Sequence, residues 1–149
     1  MKPTLYVMCG ISGSGKSYYA ADLAELEPDT EIVSTDAIRE ELFGDASVQK
    51  DGDKVFAIAY DRTRKFLEEG KNVVFDAMSL RPRDRFSLIS QFDKMAHMFC
   101  MVTGNDSARA LENQRKRDRQ VPDEVVLAQA KRFKMPTIEE GWEEIWMVG

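Results

Sequence analysis

Apolar residues come in short runs, separated by longer segments in which they recur every three or four positions. The runs have the length and near-continuous hydrophobicity of strands that are buried on both faces of a sheet. They cover residues 4–9, 31–35, 71–75, 98–103 and 144–148. Because such strands are typical of parallel sheets, the pattern predicts a parallel sheet.

The segments between the runs have the spacing of amphipathic helices. They cover residues 16–26, 36–43, 53–69, 82–94, 106–118 and 122–134. Gly70 is a typical stop after the third of these helices, and Pro122 occupies the position expected for the first residue of the last one. Strands that alternate with helices predict an α/β fold, with helices on both faces of the parallel sheet.

The composition is that of an ordinary globular protein, with 43% hydrophobic and 32% charged residues among 149. We expect residues 1–149 to form a single domain. No apolar run approaches the roughly 20 residues of a membrane helix, and the N-terminus lacks the layout of a secretion signal. We therefore expect a cytoplasmic protein without membrane contact, in which Cys9 and Cys100 are buried, reduced thiols.

Charge is distributed unevenly along the chain. The net charge of −5 argues against a general nucleic-acid binder, yet residues 109–119 carry five positive and two negative side chains. A local basic segment in an acidic protein indicates that an anionic ligand binds at one site.

Residues 10–17, the phosphate loop, read GISGSGKS and match the pattern G-x-x-x-x-G-K-[ST]. The motif follows a predicted strand and opens a predicted helix, so its N–H groups and the helix N-terminus can face a phosphate. The predicted nucleotide-binding residues are Gly10, Ile11, Ser12, Gly13, Ser14, Gly15, Lys16, Ser17 and Tyr18. The fold class is therefore a P-loop NTPase-type parallel sheet.

Two side chains of the phosphate loop have distinct expected roles. Lys16 should reach the β- and γ-phosphates and is a predicted catalytic residue, whereas Ser17 should bind Mg²⁺ through its hydroxyl. The expected cofactors are Mg²⁺ and ATP as the phosphate donor. The motif alone does not distinguish transfer of the phosphate to water, its retention as a switch, or its transfer to another molecule.

Asp36 follows the second predicted strand, and Arg39 lies one helical turn further on the same face. Ligands of such folds bind beyond the carboxyl ends of the strands, so both residues should share a crevice with the phosphate loop. There Asp36 can act as a general base and Arg39 can grip an anionic group of the acceptor. The alternative is a helix cap at Asp36 and an exposed surface residue at Arg39.

Asp76 ends the third predicted strand, in the place of a Walker-B acid. It could orient Mg²⁺ indirectly through its waters, orient the acceptor, or simply cap a turn. Three arginines follow, at positions 81, 83 and 85. We expect one of them, taken as Arg83, to face the acceptor, and at least two to be solvated at a helix start.

Four segments carry a resemblance to a known family: GISGSGKS, STDAIREELFG, NVVFDAMSLRPRDR and ENQRKRDRQVPDEVV. Across most of residues 4–135 the chain resembles the P-loop kinases related to bacteriophage polynucleotide kinase, which phosphorylate 5′-hydroxyl ends of RNA or DNA. By this resemblance, Asp36 is the general base and Arg39 holds the phosphate that adjoins the acceptor nucleotide. A nucleic-acid 5′-hydroxyl end is then the expected partner.

The resemblance also implies that NQRKRDRQVP forms an arginine-bearing helical lid. Lid arginines neutralise the charge that develops between the β- and γ-phosphates. The candidates are Arg115, Arg117 and Arg119, of which we favour Arg115 and Arg117 as catalytic residues. The alternative for some of them is a charged, exposed helix end.

The base, the acceptor arginine and the lid together favour transfer to a hydroxyl over hydrolysis. The leading hypothesis is an ATP-dependent polynucleotide 5′-hydroxyl kinase. A second hypothesis is a kinase for a nucleoside, metabolite or drug, and a third is an ATP-binding module without catalysis. Oligomerisation is not predicted.

Overall fold

The computed structural model describes residues 2–46, 50–104, 106–116 and 121–148. Its strands are β1 (Thr4–Gly10), β2 (Thr30–Ser34), β3 (Asn72–Asp76), β4 (His97–Gly104) and β5 (Glu144–Met147). Its helices are α1 (Lys16–Leu26), α2 (Thr35–Phe43), α3 (Gly52–Glu68), α4 (Pro82–Phe92), α5 (Ser107–Gln114) and α6 (Asp123–Arg132), with a 3₁₀ turn at Ile138–Glu140.

The strands form one parallel sheet in the order β2-β3-β1-β4-β5. Strand β1 lies at the centre, where Leu5 pairs with Val73 of β3 on one side and with Met98 of β4 on the other. The carboxyl ends of all five strands therefore share one edge of the sheet. The phosphate loop leaves the middle of that edge, as the predicted P-loop NTPase-type fold requires.

Alternate residues of β1 belong to two separate core layers. Leu5, Val7 and Cys9 pack in the larger layer with apolar residues of α2, α3, α4 and α6. Tyr6 and Met8 belong to the smaller layer, which contains side chains of α1. Helices therefore cover both faces of the sheet, as the apolar runs predict. Cys9 and Cys100 are buried free thiols.

Helix α2 begins one residue earlier than predicted. Ser34 is its N-cap, because the Ser34 hydroxyl accepts a hydrogen bond from the amide of Ala37 at 3.2 Å. Asp36 is consequently in the first turn of α2 and is not the cap. Its carboxylate pairs with Arg39 instead.

The last two predicted helices are shorter than expected. Pro122 is the N-cap of α6, with extended backbone (φ −55°, ψ 144°), and not its first helical residue. At the other end, the amide of Lys134 donates to the carbonyl of Leu80 at 2.8 Å, which draws the chain away from the helix. Helix α5 ends at Gln114, and positions 117 and 118 of the predicted helix lie outside the described residues.

Within the described ranges, no helix combines the length and the hydrophobicity needed to cross a membrane.

Candidate active site

A cavity of about 1240 Å³ lies at the carboxyl edge of the sheet. Of the predicted site residues, its lining includes Ser12, Gly13, Ser14, Gly15, Lys16, Ser17, Tyr18, Asp36, Arg39, Asp76 and Arg83. Gly10 and Ile11 are buried at the base of the phosphate loop. Pockets for single small ligands typically measure about 300–1,000 Å³. The cavity can therefore hold a nucleotide together with a second ligand.

Two glycines of the phosphate loop are required by close backbone packing. Gly13 has a left-handed φ of +83°, and a Cβ there would lie 2.6 Å from the carbonyl oxygen of Ala110. At Gly10 a Cβ would lie 2.0 Å from the hydroxyl of Thr103. Side chains at either position would push the loop away from α5 and β4. The glycines at these two motif positions are thus required because the loop packs closely against Thr103 and Ala110.

Side chains from distant parts of the chain also hold the phosphate loop. The Gln129 side-chain oxygen of α6 accepts a hydrogen bond from the Ser12 amide at 2.8 Å. The Asn113 side-chain amide of α5 donates to the Gly13 carbonyl at 2.9 Å. Sequence reasoning missed both residues. The available signal was a polar residue at Gln129, three positions after Val126 on the apolar face of its helix.

Lys16, Ser17 and Asp76 lie together at the foot of the cavity. The ammonium of Lys16 donates to the carbonyl of Ile11 at 3.1 Å. The hydroxyl of Ser17 donates to a carboxylate oxygen of Asp76 at 2.9 Å, and Asp76 is buried. Hydroxyl and carboxylate oxygens are the hard donors that Mg²⁺ prefers. This pair therefore fits a magnesium ion bound beside the phosphates.

Asp36 and Arg39 form an ion pair in the lining of the cavity. The guanidinium Nη1 of Arg39 lies 3.4 Å from a carboxylate oxygen of Asp36. The Arg39 side chain is only 12% exposed, whereas that of Asp36 is 54% exposed. The Nε of Arg39 is buried and has no hydrogen-bond partner among the described residues. A buried donor without an acceptor is costly, so this position favours an anionic ligand.

The three arginines that begin α4 have different surroundings. Arg81 forms an ion pair with Asp84 at 3.2 Å, and both line the cavity with the exposed Arg83. Arg85 is fully buried, with its Nε and Nη2 each 2.8 Å from a carboxylate oxygen of Glu140. Arg85 is therefore a structural residue and not part of a solvated helix start. Its position on the buried face of α4 brings it to this partner.

The carboxyl group of Glu140 is ionised in this pair. Burial would raise its pKa, but hydrogen bonds from Arg85 and Trp142 outweigh that effect and hold the pKa below its ordinary value. The pair links α4 to the 3₁₀ turn that precedes β5. It therefore secures the final strand against the layer beneath the cavity.

The predicted lid residues are placed only in part. Arg115 is exposed at the end of α5, and it is not among the residues that line the cavity. Arg117 and Arg119 lie outside the described residues. Two other arginines do line the cavity: Arg109 of α5 and Arg132 of α6. Neither was singled out as a lid residue from the sequence pattern.

The fold and the phosphate loop define the class: the chain has a P-loop kinase fold. It matches a chain of a Pnkp1/Rnl/Hen1 RNA repair complex with a TM-score of 0.80 and 18% identity, over 88% of this chain and 44% of that one. This chain thus spans less than half the length of that relative. It also matches a gluconokinase from Sinorhizobium meliloti 1021, with a TM-score of 0.64 and 20% identity, over 98% and 82% of the two chains.

Kti12 from Chaetomium thermophilum, solved with ADP-AlF3, has the same fold, with a TM-score of 0.71 and 14% identity over 97% and 88% of the two chains. A family described as an AAA domain matches residues 5–136, and the chain belongs to that family. These matches confirm the resemblance to P-loop kinases that the four motifs indicate. A comparison with curated proteins finds no match.

Proposed function

We propose that this protein transfers the γ-phosphate of ATP to a hydroxyl group, and that the acceptor is the 5′-hydroxyl end of a polynucleotide. The observation that carries the proposal is the Asp36–Arg39 pair, which shares one cavity with the phosphate loop. A carboxylate and a guanidinium at this place suit an acceptor that offers both a hydroxyl and a nearby phosphate.

Each group has a defined part in the reaction. The acceptor oxygen forms a bond to the γ-phosphorus while the bond from that phosphorus to the β-bridging oxygen breaks, and ADP leaves. The hydroxyl proton passes to the carboxylate of Asp36. Lys16 stabilises the negative charge of the β- and γ-phosphates.

Magnesium fits the oxygen pair of Ser17 and Asp76. When bound there, the ion would supply positive charge beside the phosphates. Ser17 would contact it through its hydroxyl, and Asp76 would hold it directly or through its waters.

Substitution of Asp36 tests the proposed base. Asp36→Asn should leave ATP binding nearly unchanged, because the side chain is half-exposed and lies outside the phosphate loop. Transfer to a 5′-hydroxyl oligonucleotide should fall by about 10²-fold or more. The matched control is Glu40→Gln, an exposed carboxylate of the same helix that is not among the cavity-lining residues described. Transfer that persists in Asp36→Asn would remove Asp36 from catalysis.

A small-molecule kinase is the second candidate, because the match to the gluconokinase covers 98% of this chain and 82% of that one. Labelled phosphate transfer from ATP to a panel of 5′-hydroxyl RNA, 5′-hydroxyl DNA, nucleosides and sugar acids separates the two. The proposal expects transfer to an oligonucleotide at much lower concentrations than to any small molecule. Transfer to a sugar acid alone would favour the second candidate, and nucleotide binding without transfer would indicate a binding module.

A further inference from the structure

One face of α6 is seated against the phosphate loop. Val125, Gln129 and Arg132, spaced by four and three residues, all line the cavity and together form the α6 cavity face. Gln129 is only 3% exposed, and its side-chain oxygen accepts the hydrogen bond from the Ser12 amide at 2.8 Å. The rotation of α6 about its axis is therefore set by a contact with the loop itself.

The contact lies at the end of the loop where the terminal phosphate of a nucleotide belongs. Lys16 is the residue that reaches the β- and γ-phosphates in such loops. Its ammonium donates to the carbonyl of Ile11 at 3.1 Å, and that peptide unit is the one that carries the Ser12 amide. The hydrogen bond that the Ser12 amide donates to Gln129 is thus next to the lysine, at the β/γ end of the site.

Arg132 follows Gln129 by one helical turn on the same face. The three residues between them span about 4.5 Å along the axis, which a guanidinium on a long side chain can bridge. Arg132 is exposed, lines the cavity, and forms no ion pair with the residues that the structure describes. A guanidinium is always charged and binds phosphate oxygens in a forked geometry.

We propose that Arg132 binds the terminal phosphate of the donor nucleotide, and that Gln129 is the positioning residue that directs it there. The proposal rests on ATP binding by the phosphate loop. It gives to α6 the charge-neutralising role that the family resemblance implies for Arg115 and Arg117. Because ADP lacks the terminal phosphate, Arg132 should distinguish ATP from ADP.

The experiment compares Arg132→Ala with Lys131→Ala by calorimetric titration with ADP and with a non-hydrolysable ATP analogue, each in the presence of Mg²⁺. Lys131 is an exposed cation of the same helix and is not among the described residues that line the cavity. The dissociation constant of Arg132→Ala for the ATP analogue should rise about tenfold or more, since charge-assisted hydrogen bonds are lost. The dissociation constant of Arg132→Ala for ADP should change less than about twofold. Lys131→Ala should leave the dissociation constants for both nucleotides unchanged.

The outcomes separate this proposal from the proposed function. Equal changes for ADP and the analogue in Arg132→Ala, or no change in either, would overturn the role of Arg132 while leaving nucleotide binding in place. If the unmodified protein binds neither nucleotide, the proposed function fails as well.

The role of Gln129 is tested with Gln129→Met in the same titrations. This substitution keeps the length of the side chain but removes the oxygen that accepts the hydrogen bond from the Ser12 amide. We expect it to lose the discrimination between the ATP analogue and ADP although Arg132 is present. The melting temperature without nucleotide is measured beside it. If Gln129 has only a structural role, Gln129→Met should lower the melting temperature and weaken the binding of ADP and of the ATP analogue equally. That result would contradict the positioning role.

Discussion

The side chain of Arg39 is more buried than the sequence pattern around it suggests. In the middle of a short, polar helix such as α2, an arginine ordinarily reaches into solvent. Here the side chain is 12% exposed and one of its nitrogens has no hydrogen-bond partner among the described residues. Because a buried N–H group ordinarily has a hydrogen-bond partner, the Nε of Arg39 indicates that a ligand atom accepts its hydrogen bond when the site is occupied.

Substitution of Arg39 should affect acceptors that carry a phosphate next to the reacting sugar. Arg39→Ala should raise the KM for a nucleoside 3′-phosphate by about tenfold or more, and change that for the parent nucleoside much less. Arg39→Lys keeps the charge but removes the forked donors, so it should recover only part of the loss. Steady-state transfer with both acceptors measures the difference, and equal losses would exclude Arg39 from phosphate recognition.

The elements that could be predicted best from the sequence are those fixed by apolar periodicity and by the phosphate loop. Helix α1 begins and ends where predicted, because the loop motif starts it at Lys16. The predicted start of α2 is one residue later than the observed start. Two residues that could cap the helix, Ser34 and Asp36, lie close together, and apolar periodicity does not distinguish between them. The loop anchors Asn113 and Gln129 depend on contacts between distant segments, which local patterns do not encode.

Removal of the α2 cap should lower stability without changing the chemistry of the site. Ser34→Ala leaves the Ala37 amide without its side-chain acceptor and should cost about 1 kcal/mol of the free energy of unfolding. The control is Ser90→Ala, an exposed hydroxyl within α4 that caps no helix, which should change it by less than about 0.5 kcal/mol. Urea denaturation measures both variants. Similar losses in the two would show that Ser34 is not an effective cap.

At the scale of the whole molecule, the fold class follows from features that the sequence displays. The strand order, in which β3 separates β2 from β1, and the link between α4 and the segment before β5 do not. The buried pair of Arg85 and Glu140 joins α4 to the segment before β5. Both residues lie in charged stretches that resemble exposed surface. Only the tertiary arrangement brings the carboxylate to the guanidinium, so no local pattern could predict the pair.

The same pair makes stability depend on pH. The pKa of Glu140 is below its ordinary value of 4.5 in the folded protein, so its contribution is complete above pH 4.5 and is lost as pH falls through the folded pKa. Glu140→Gln should cost about 3–5 kcal/mol at neutral pH, because it leaves a buried guanidinium uncompensated. Its unfolding free energy should then decline less on acidification than that of the unmodified protein.

Urea unfolding at neutral pH and at successive values below pH 4.5 measures this difference. Glu139→Gln, an exposed neighbour in the same 3₁₀ turn, should follow the unmodified protein throughout. Parallel pH profiles for Glu140→Gln and the unmodified protein would show that the pair contributes nothing to acid sensitivity.

The hydrogen bond between Ser12 and Gln129 joins positions 117 residues apart. During synthesis the ribosome therefore releases the GISGSGKS motif well before it releases Gln129. A nascent chain that ends before α6 contains the complete GISGSGKS motif but lacks Gln129, which accepts the hydrogen bond from the Ser12 amide. The motif can therefore reach its final shape only after α6 has left the ribosome and packed against it.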